Sequence, residues 1–431
     1  MNNIVIKKDK LYLISDNTDI KDMKHIVMHS TNENKMKEFL KKIVDVLNSY
    51  KFKDIKDIKD LQFNYLKEPK NLFEGCDWYE MPEYKPSKDL LNSPTITIYY
   101  SDENIINNIS KIINSKISLK LGYHWYPYRL KSLEAYKKLM YESPEDVKPK
   151  YPIYILSKGR WQHRYTSRYL DWSDIPYKIV IEPQEYIEYS KYIDKSKILI
   201  LPEEYLNKNQ GGIPARNFIL KHSRDNKDKR HWILDDNIMG YYRLNDSDRT
   251  FLKGGCAFRI VEDYVDRYEN IKMAGHNYKM FGVPSSVGLK PLTKNTRVYS
   301  SILLSNDIPF EWRGRYNEDT DLSLRILKAG YPTVIFNAIL ADKQTTLKQK
   351  GGNTDTIYNV KDALYLKAKS LQEQHPDVAF VRQRFNRIHH FVDYSSFKSN
   401  KFIFKKNIEK TLKAETNNYG MKLVEKPEKL Y

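Results

Sequence analysis

Two cysteines in 431 residues, and no apolar run of membrane-spanning length, remove several protein classes at once. Cys76 and Cys256 stand far apart, without Cys-x-x-Cys spacing or a neighbouring histidine, so neither a disulfide framework nor a structural zinc centre is supported. Both read as packing residues. No segment approaches the roughly 18 apolar residues of a spanning helix. Met1 to Lys10 mixes charges where a signal peptide carries an apolar stretch. The expectation is a soluble protein of the cytoplasm, with no membrane partner. The glycine signatures of two nucleotide-binding classes are also missing. Gly211-Gly-Ile-Pro-Ala-Arg216-Asn217 lacks the Walker Gly-Lys-Ser/Thr, and no Gly-x-Gly-x-x-Gly follows the first strand of the α/β region.

What is present is charge, tyrosine and enough apolar residues for a real core. The chain is 40% hydrophobic, with a length that suggests two or three domains. It carries 73 Lys and Arg against 55 Asp and Glu, net +18, and 34 tyrosines. Much of the lysine alternates with acid, so part of the excess is compositional. The last 71 residues hold 15 Lys/Arg and 8 Asp/Glu, which fits either a solvated face or a phosphate-binding one. A polyanionic partner is favoured.

Residues 1–70 carry short apolar runs and a repetitive stretch from Asp54 to Asp60, and no chemistry can be assigned there. In 71–145 the spacing predicts a small α+β accessory domain. Thr95 to Tyr100 alternates as a strand does, and Ile105, Ile106, Ile109, Ile112 and Ile113 share a helix face. The aromatic turns Cys76 to Tyr84 and His124 to Pro127 read as hydrophobic plugs on its sheet. A helix from Leu130 to about Tyr141 and the Pro-rich Ser143 to Pro152 would form a linker. From Tyr151 short strands alternate with helices, the pattern of an α/β domain with a mostly parallel sheet. Strands are expected at 153–157, 178–182, 198–201 and 231–234. The domain is expected over 151–401, with 402–431 a basic C-terminal tail.

Ligands of such sheets gather at the carboxyl ends of the strands. Standing there are Ser157-Lys-Gly-Arg160, Glu182-Pro-Gln and Asp235-Asp236-Asn237. Hard oxygen ligands at a strand end suit Mg²⁺ or Mn²⁺ on a diphosphate, although Asp-Asp-Asn is equally an ordinary turn or helix cap. Glu318-Asp319-Thr320-Asp321 opens a helix whose apolar positions Leu322, Ile326 and Ala329 share a face, closed by Gly330. These carboxylates either complement the helix dipole or take a proton from an attacking hydroxyl. The glycine turn before Arg216 is an anion site or a plain connection. His389-His390 supplies a metal ligand or two satisfied surface or core histidines.

The order of these features is more informative than any one of them. Ile153-Tyr-Ile-Leu-Ser-Lys-Gly-Arg160, Ile179-Val-Ile-Glu-Pro-Gln-Glu-Tyr186, Trp232-Ile-Leu-Asp-Asp-Asn237, Asn295-Thr-Arg-Val-Tyr-Ser300, Arg315-Tyr-Asn-Glu-Asp-Thr-Asp-Leu-Ser-Leu-Arg325, Gly351-Gly-Asn353 and Arg387-Ile-His-His-Phe-Val-Asp393 follow one another between about Tyr151 and Lys401. Together they resemble the TET/JBP-associated glycosyltransferase family, known mainly from phages. The resemblance implies a GT-A-like nucleotide-sugar-binding fold, a UDP-linked donor and a hydroxymethylated pyrimidine in DNA, such as hydroxymethylcytosine, as acceptor. A weaker likeness joins Asp77 to Tyr84 and Trp125 to Pro127 to a small domain of phage proteins.

By the same resemblance Ser157, Arg160 and Glu182 hold the nucleoside, Arg216 and Asn217 help at ribose or diphosphate, and Asp235 with Asp236 forms the metal-bridged diphosphate site. Asn237 departs from the usual Asp-x-Asp, which leaves Asp236 as the expected direct ligand of manganese or magnesium, with Asn237 and His390 completing the shell. Asp319 matches the general base of inverting members, with Glu318 and Asp321 shaping acceptor and helix. A retaining route is the alternative if no carboxylate reaches the acceptor. Two competing functions remain open at this point: a transferase acting on a protein or polysaccharide hydroxyl, and a non-catalytic DNA-binding protein on the same fold. Sugar, acceptor base and oligomeric state are not encoded in any readable motif.

Overall fold

The computed structural model describes residues 3–7, 10–14, 23–30, 32–43, 51–52, 62–65, 72–85, 93–119, 122–127, 138–206, 208, 210–246, 248–282, 289–344, 363–384, 387–428 and 430. The chain divides into two compact units, 1–70 with 86–135, and 71–85 with 136–431. The stretch Asp54 to Asp60 and the Gly351-Gly-Asn353 block lie outside the described residues.

The first unit is built on a sheet of β1 (Asn3–Lys7), β2 (Lys10–Ile14), β3 (Lys24–Ser30), β4 (Lys51–Phe52), β5 (Asn64–Tyr65), β6 (Pro94–Tyr100) and β7 (Tyr123–Tyr126), in the order β4-β1-β2-β6-β3-β7 with β5 beside β6. Helices α1 (Glu33–Lys42) and α2 (Glu103–Ile112) cover it. Alternation decides which face they cover. Leu11, Leu13, Ile26, Met28, Ile96 and Ile98 point inward against Met36, Phe39, Ile105 and Ile109. Asn32 and Asp102 cap the two helices by accepting from the N–H groups of Lys35 and Asn104.

The second unit contains β8 (Leu139–Glu142), β9 (Ile153–Leu156), α3 (Tyr165–Trp172), β10 (Lys178–Ile181), α4 (Tyr186–Ser190), β11 (Ile198–Ile200), α5 (Ile213–Asp225), β12 (Arg230–Asp235), β13 (Ile238–Asn245), β14 (Asp248–Lys253), α6 (Cys256–Val265), β15 (Met273–Tyr278), β16 (Leu292–Lys294), β17 (Ser301–Ser305), α7 (Glu318–Lys328), β18 (Thr333–Lys343), α8 (Ala363–Gln374), β19 (Ala379–Arg384), β20 (Arg387–Val392), α9 (Ile408–Thr411) and β21 (Lys422–Glu425). Twelve strands join in one sheet, β11-β10-β9-β12-β17-β15-β18-β13-β14-β8-β21, with β16 on β18; β19 and β20 form a separate hairpin. Its central strands are buried on both sides, and the alternation is clean. Ile153, Ile155, Trp232, Leu234 and Leu303 face one core with residues of α3 and α6, while Tyr154, Ile233, Ile302 and Leu304 face another with residues of α5 and α7. Helices on both faces make three layers.

The sheet is mixed, which corrects the expectation of a mostly parallel one. Only β11, β10, β9 and β12 run parallel in succession. After Asp236 a tight turn reverses the chain into β13, and β17, β15, β18, β13 and β14 enter through antiparallel pairings broken by one parallel step, β15 to β18. The four strands legible in the sequence are the parallel ones, because each is joined to the next by a crossover with its own helical signal.

Three other expectations change. The Cys76 to Tyr84 turn plugs the second unit and not the small sheet: Trp78 and Met81 join the core under Tyr264, whose hydroxyl donates to the Cys76 carbonyl. Residues 139–142, expected to be helical, form β8 against β14. The last thirty residues are no free tail, since Phe402 and Phe404 pack on Tyr268 and β21 pairs with β8.

One buried carboxylate ties α6 to β12 and to the segment leading into β9. Glu262 accepts from the Trp232 indole (2.8 Å) and from the backbone N–H groups of Lys150 (2.7 Å) and Tyr151 (3.4 Å). Burial pushes its carboxyl up to about 7 against those donors. Glu262→Ala is expected to destabilise the protein by about 2 to 4 kcal/mol in urea unfolding, because the buried Trp232 indole and two part-buried backbone N–H groups lose their acceptor together.

Candidate active site at the carboxyl end of the parallel strands

The site begins with a turn. Asp235 ends β12, Asp236 and Asn237 reverse the chain, and Ile238 starts β13. Thr166, in the first turn of α3, locks this reversal: its hydroxyl donates to the Asp235 carbonyl (2.6 Å) and accepts from Ile238 N–H (2.9 Å). Two residues on, β13 carries a register break around Gly240, whose φ is +138° and whose missing Cβ leaves room for the Phe251 ring at 2.7 Å. Ile238 pairs with Lys343, the last residue of β18. The pairing delivers a lysine to the same edge as the two aspartates.

Asp235 is held by cations. Its Oδ2 accepts from Lys343 Nζ (2.6 Å) and Ser300 Oγ (2.7 Å), and its Oδ1 lies 3.4 Å from Arg216 Nη2. Burial would raise this carboxyl, but Lys343 and Arg216 outweigh it and bring it down to about 2. Burial acts to lower the Lys343 ammonium, and Asp235, with Tyr278 and Asp319 behind it, raises it above its ordinary value. Ser300 sits at φ +62°, a left-handed conformation that costs a side chain strain, and is kept there by Asp235 N–H, which donates to its carbonyl (2.8 Å), and by Tyr278 (2.6 Å between hydroxyls).

Asp236 points the other way. Its carboxylate accepts from Arg160 Nη1 (2.5 Å) and Ser157 Oγ (2.7 Å), and burial pushes its pKa up against those partners. The Ser157 to Arg160 loop is braced from below, with Tyr189 meeting Ser157 and Arg160 N–H, and Glu185 accepting from Gly159 N–H. Glu185 keeps its second oxygen buried without a partner. Glu182, the expected nucleoside contact, is taken up by Lys158 (2.6 Å) and Gln184.

The opposite wall is the start of α7, entered through Asn317 in a left-handed conformation, φ +54°. Glu318 Oε1 lies 3.5 Å from Arg216 Nε, so one guanidinium spans Asp235 and Glu318. Burial raises the Glu318 carboxyl; Arg216 opposes that, and Asp319 and Asp235 add to it. Arg216 lies over the Trp312 ring, 4.7 Å from its centroid, and is 5% exposed. Asn217 makes no direct approach to this centre; it fixes Trp312 by donating to its carbonyl (2.9 Å) and accepting from its N–H (2.8 Å). Asp319 is half-buried, and its charge bears on Lys343, Tyr278, Tyr299, His390 and Tyr394.

His390 belongs beside Asp319 and not beside Asp236. Burial lowers its imidazole to about 4, with Arg297 and Lys367 adding to the effect and Asp319 opposing it. Asp321 is absent from the cleft. It is fully buried, bonded to Arg313 (3.0 Å), Arg325 (2.9 Å) and His375 (2.9 Å). Of the residues expected from sequence, then, Ser157, Arg160 and Asp236 form one cluster, Asp235, Arg216 and Glu318 another, and Asp319 with His390 a third region facing Lys343. Lys343, Thr166, Tyr278 and Trp312 went unforeseen, whereas Glu185 and Ser300 sat inside motifs read for other residues.

The expected divalent cation does not fit this donor set. Both oxygens of Asp236 and Oδ2 of Asp235 already accept from side chains and His390 has Asp319 among its neighbouring charges, which leaves the neutral Asn237 Oδ1, buried without a hydrogen-bond partner, as the open donor at the turn. Among the described residues no group of three His, Cys, Asp or Glu side chains is arranged to hold a metal ion.

Residues 151–352 match the family model described as TET-Associated Glycosyltransferase. That segment is a member of this family. The protein is accordingly a glycosyltransferase, which implies a sugar donor and an acceptor. No curated protein matches the chain. No helix among the described residues is long and apolar enough to cross a membrane.

The different surroundings of two carboxylates on α7 give a direct contrast. Asp321→Asn is expected to cost about 3 kcal/mol of stability, since it leaves the largely buried Arg325 short of its counter-charge and weakens the bonds to Arg313 and His375. Asp319→Asn, measured by the same unfolding experiment, should stay within about 1 kcal/mol of the parent.

Proposed function

We propose that this glycosyltransferase is of the GT-A type and moves a sugar from a UDP-linked donor to the hydroxyl of a hydroxymethylated pyrimidine in DNA, a step of phage DNA hypermodification. The observation that carries the reading is the Arg216 guanidinium, set between Asp235 on the sheet edge and Glu318 on α7, with Asp319 half-buried beside it. Such a cleft has one wall of anion-binding donors and one wall with a carboxylate. Asp319 takes the proton of the acceptor hydroxyl, the oxygen attacks the anomeric carbon, and the bond to the diphosphate breaks with its electrons left on the diphosphate oxygen. Attack from the Asp319 side opposite the leaving group inverts the anomeric centre.

The acceptor is supported by chemistry around Asp319. Tyr278 and Tyr299 stand with ring centroids 4.2 Å apart, Arg297 lies over Tyr299 (5.2 Å), and Met280 and Phe281 are exposed at the rim. An unstacked base needs an aromatic surface, and its flanking phosphates need cations, which a chain of net charge +18 supplies in excess.

The test is mass spectrometry of nucleosides from DNA containing 5-hydroxymethylcytosine or 5-hydroxymethyluracil, after incubation with the protein and a UDP-sugar panel, with and without Mn²⁺. A hexose or N-acetylhexosamine shift on one base is expected. Donor hydrolysis without any shift on DNA would remove the nucleic-acid acceptor and leave a protein or polysaccharide hydroxyl. With the acceptor in hand, Asp319→Asn should lower kcat by about 10² to 10⁴ while the donor KM stays nearly unchanged.

A further inference from the structure

A carboxylate pair at a strand end that is already neutralised by side-chain cations does different work from one that awaits a metal. We propose that Lys343 and Arg216 carry the charge of the donor diphosphate, so that transfer proceeds without a divalent cation. The inference rests on reading this cleft as a nucleotide-sugar site.

Mg²⁺ or Mn²⁺ on a diphosphate is held through one or two carboxylates with open lone pairs toward the phosphates. Here Oδ2 of Asp235 takes hydrogens from both Lys343 and Ser300, each oxygen of Asp236 already accepts from a side chain, Arg160 or Ser157, and the unpartnered oxygen at the turn is the neutral Asn237 Oδ1, which brings no charge to hold a cation. The remaining oxygen, Oδ1 of Asp235, faces a guanidinium at 3.4 Å. Incoming positive charge would meet positive charge there.

Incoming negative charge meets unspent donors. Arg216 is buried, and its Nε and Nη1 have no hydrogen-bond partner. Buried N–H groups left in that state are costly, and phosphate oxygens complete them. Lys343 gives two of its three hydrogens to Asp235 and Ser300, while its third contact, to the Tyr278 hydroxyl, is long at 3.5 Å. As the bond between the anomeric carbon and the diphosphate oxygen breaks, one further negative charge appears on that oxygen. Two fixed cations held in place by Asp235, Glu318 and Trp312 meet it without rearranging. Lys343 owes its position to the β13–β18 register, and Arg216 to the first turn of α5.

The experiment is calorimetric titration of the EDTA-treated full chain with UDP, CDP, GDP and ADP, repeated with Mn²⁺ in place of EDTA. One diphosphate is expected to bind with the same Kd, within about threefold, in both conditions. Lys343→Met should weaken that binding by about tenfold or more without rescue by Mn²⁺, and Lys343→Arg should recover part of it. Binding that appears only with Mn²⁺, or a Lys343→Met variant that binds as the parent does, overturns the proposal and leaves the transferase reading standing. If no diphosphate binds in either condition, the cleft is not a nucleotide-sugar site and both readings fall.

Discussion

Asp235 is the carboxylate on which the second unit's site is assembled. It sits where five parts of the chain meet: its own strand β12, Lys343 from the end of β18, Ser300 ahead of β17, Arg216 on α5, and Thr166 of α3 bonded to its carbonyl. Apart from α5, which directly precedes β12, these elements are distant from it in sequence, and Lys343, Arg216 and Ser300 would each bring an unpaired charge or a strained hydroxyl to the edge alone. Together they neutralise one another, so the sheet, two helices and the left-handed Ser300 are fixed by a single anion.

That arrangement separates carboxylates that look alike in sequence. Asp235 and Asp236 are neighbours, yet the first is drawn down by Lys343 and Arg216 and the second is pushed up by burial in spite of Arg160. Glu318 and Asp321 differ as sharply. Glu318 shares a guanidinium with Asp235, whereas Asp321 spends its charge on Arg313, Arg325 and His375 and anchors α7 to α8. Asp319 is half-buried and accepts at Oδ1 only from its neighbour Thr320, through the backbone N–H (2.7 Å) and the hydroxyl (3.3 Å), which leaves it without a cationic partner among its hydrogen bonds and makes it the carboxylate to which the proposed transfer gives the base's role.

The legible part of this molecule is the part governed by local rules. Strands β9 to β12 announced themselves by apolar runs ending in polar turns, and α5 and α7 by a proline in the first turn and a closing glycine. Asp321 was assigned to the cleft although helical geometry argues otherwise, since two residues past Asp319 lies about 200° round the helix. The mixed sheet, Lys343 and Thr166 were not legible, because each depends on pairings between segments dozens of residues apart. Lys343 is one lysine among many, and only the β13–β18 register makes it special.

The same dependence on distant segments sets the limits of the folded body. The family match ends at 352, but the charge of Asp319 bears on His390 and Tyr394 from beyond it. On the far side of the sheet, the ring cluster of Tyr264, Tyr268 and Phe336 is covered by Trp78 from before the match and by Phe402 and Phe404 from after it. Fully buried Tyr264 and Tyr268 take their hydroxyl partners, the Cys76 carbonyl and Asp77, from that same early segment. A core whose polar atoms are satisfied by chain outside the matched span is one physical body with it, and the boundaries of the transferase follow that core.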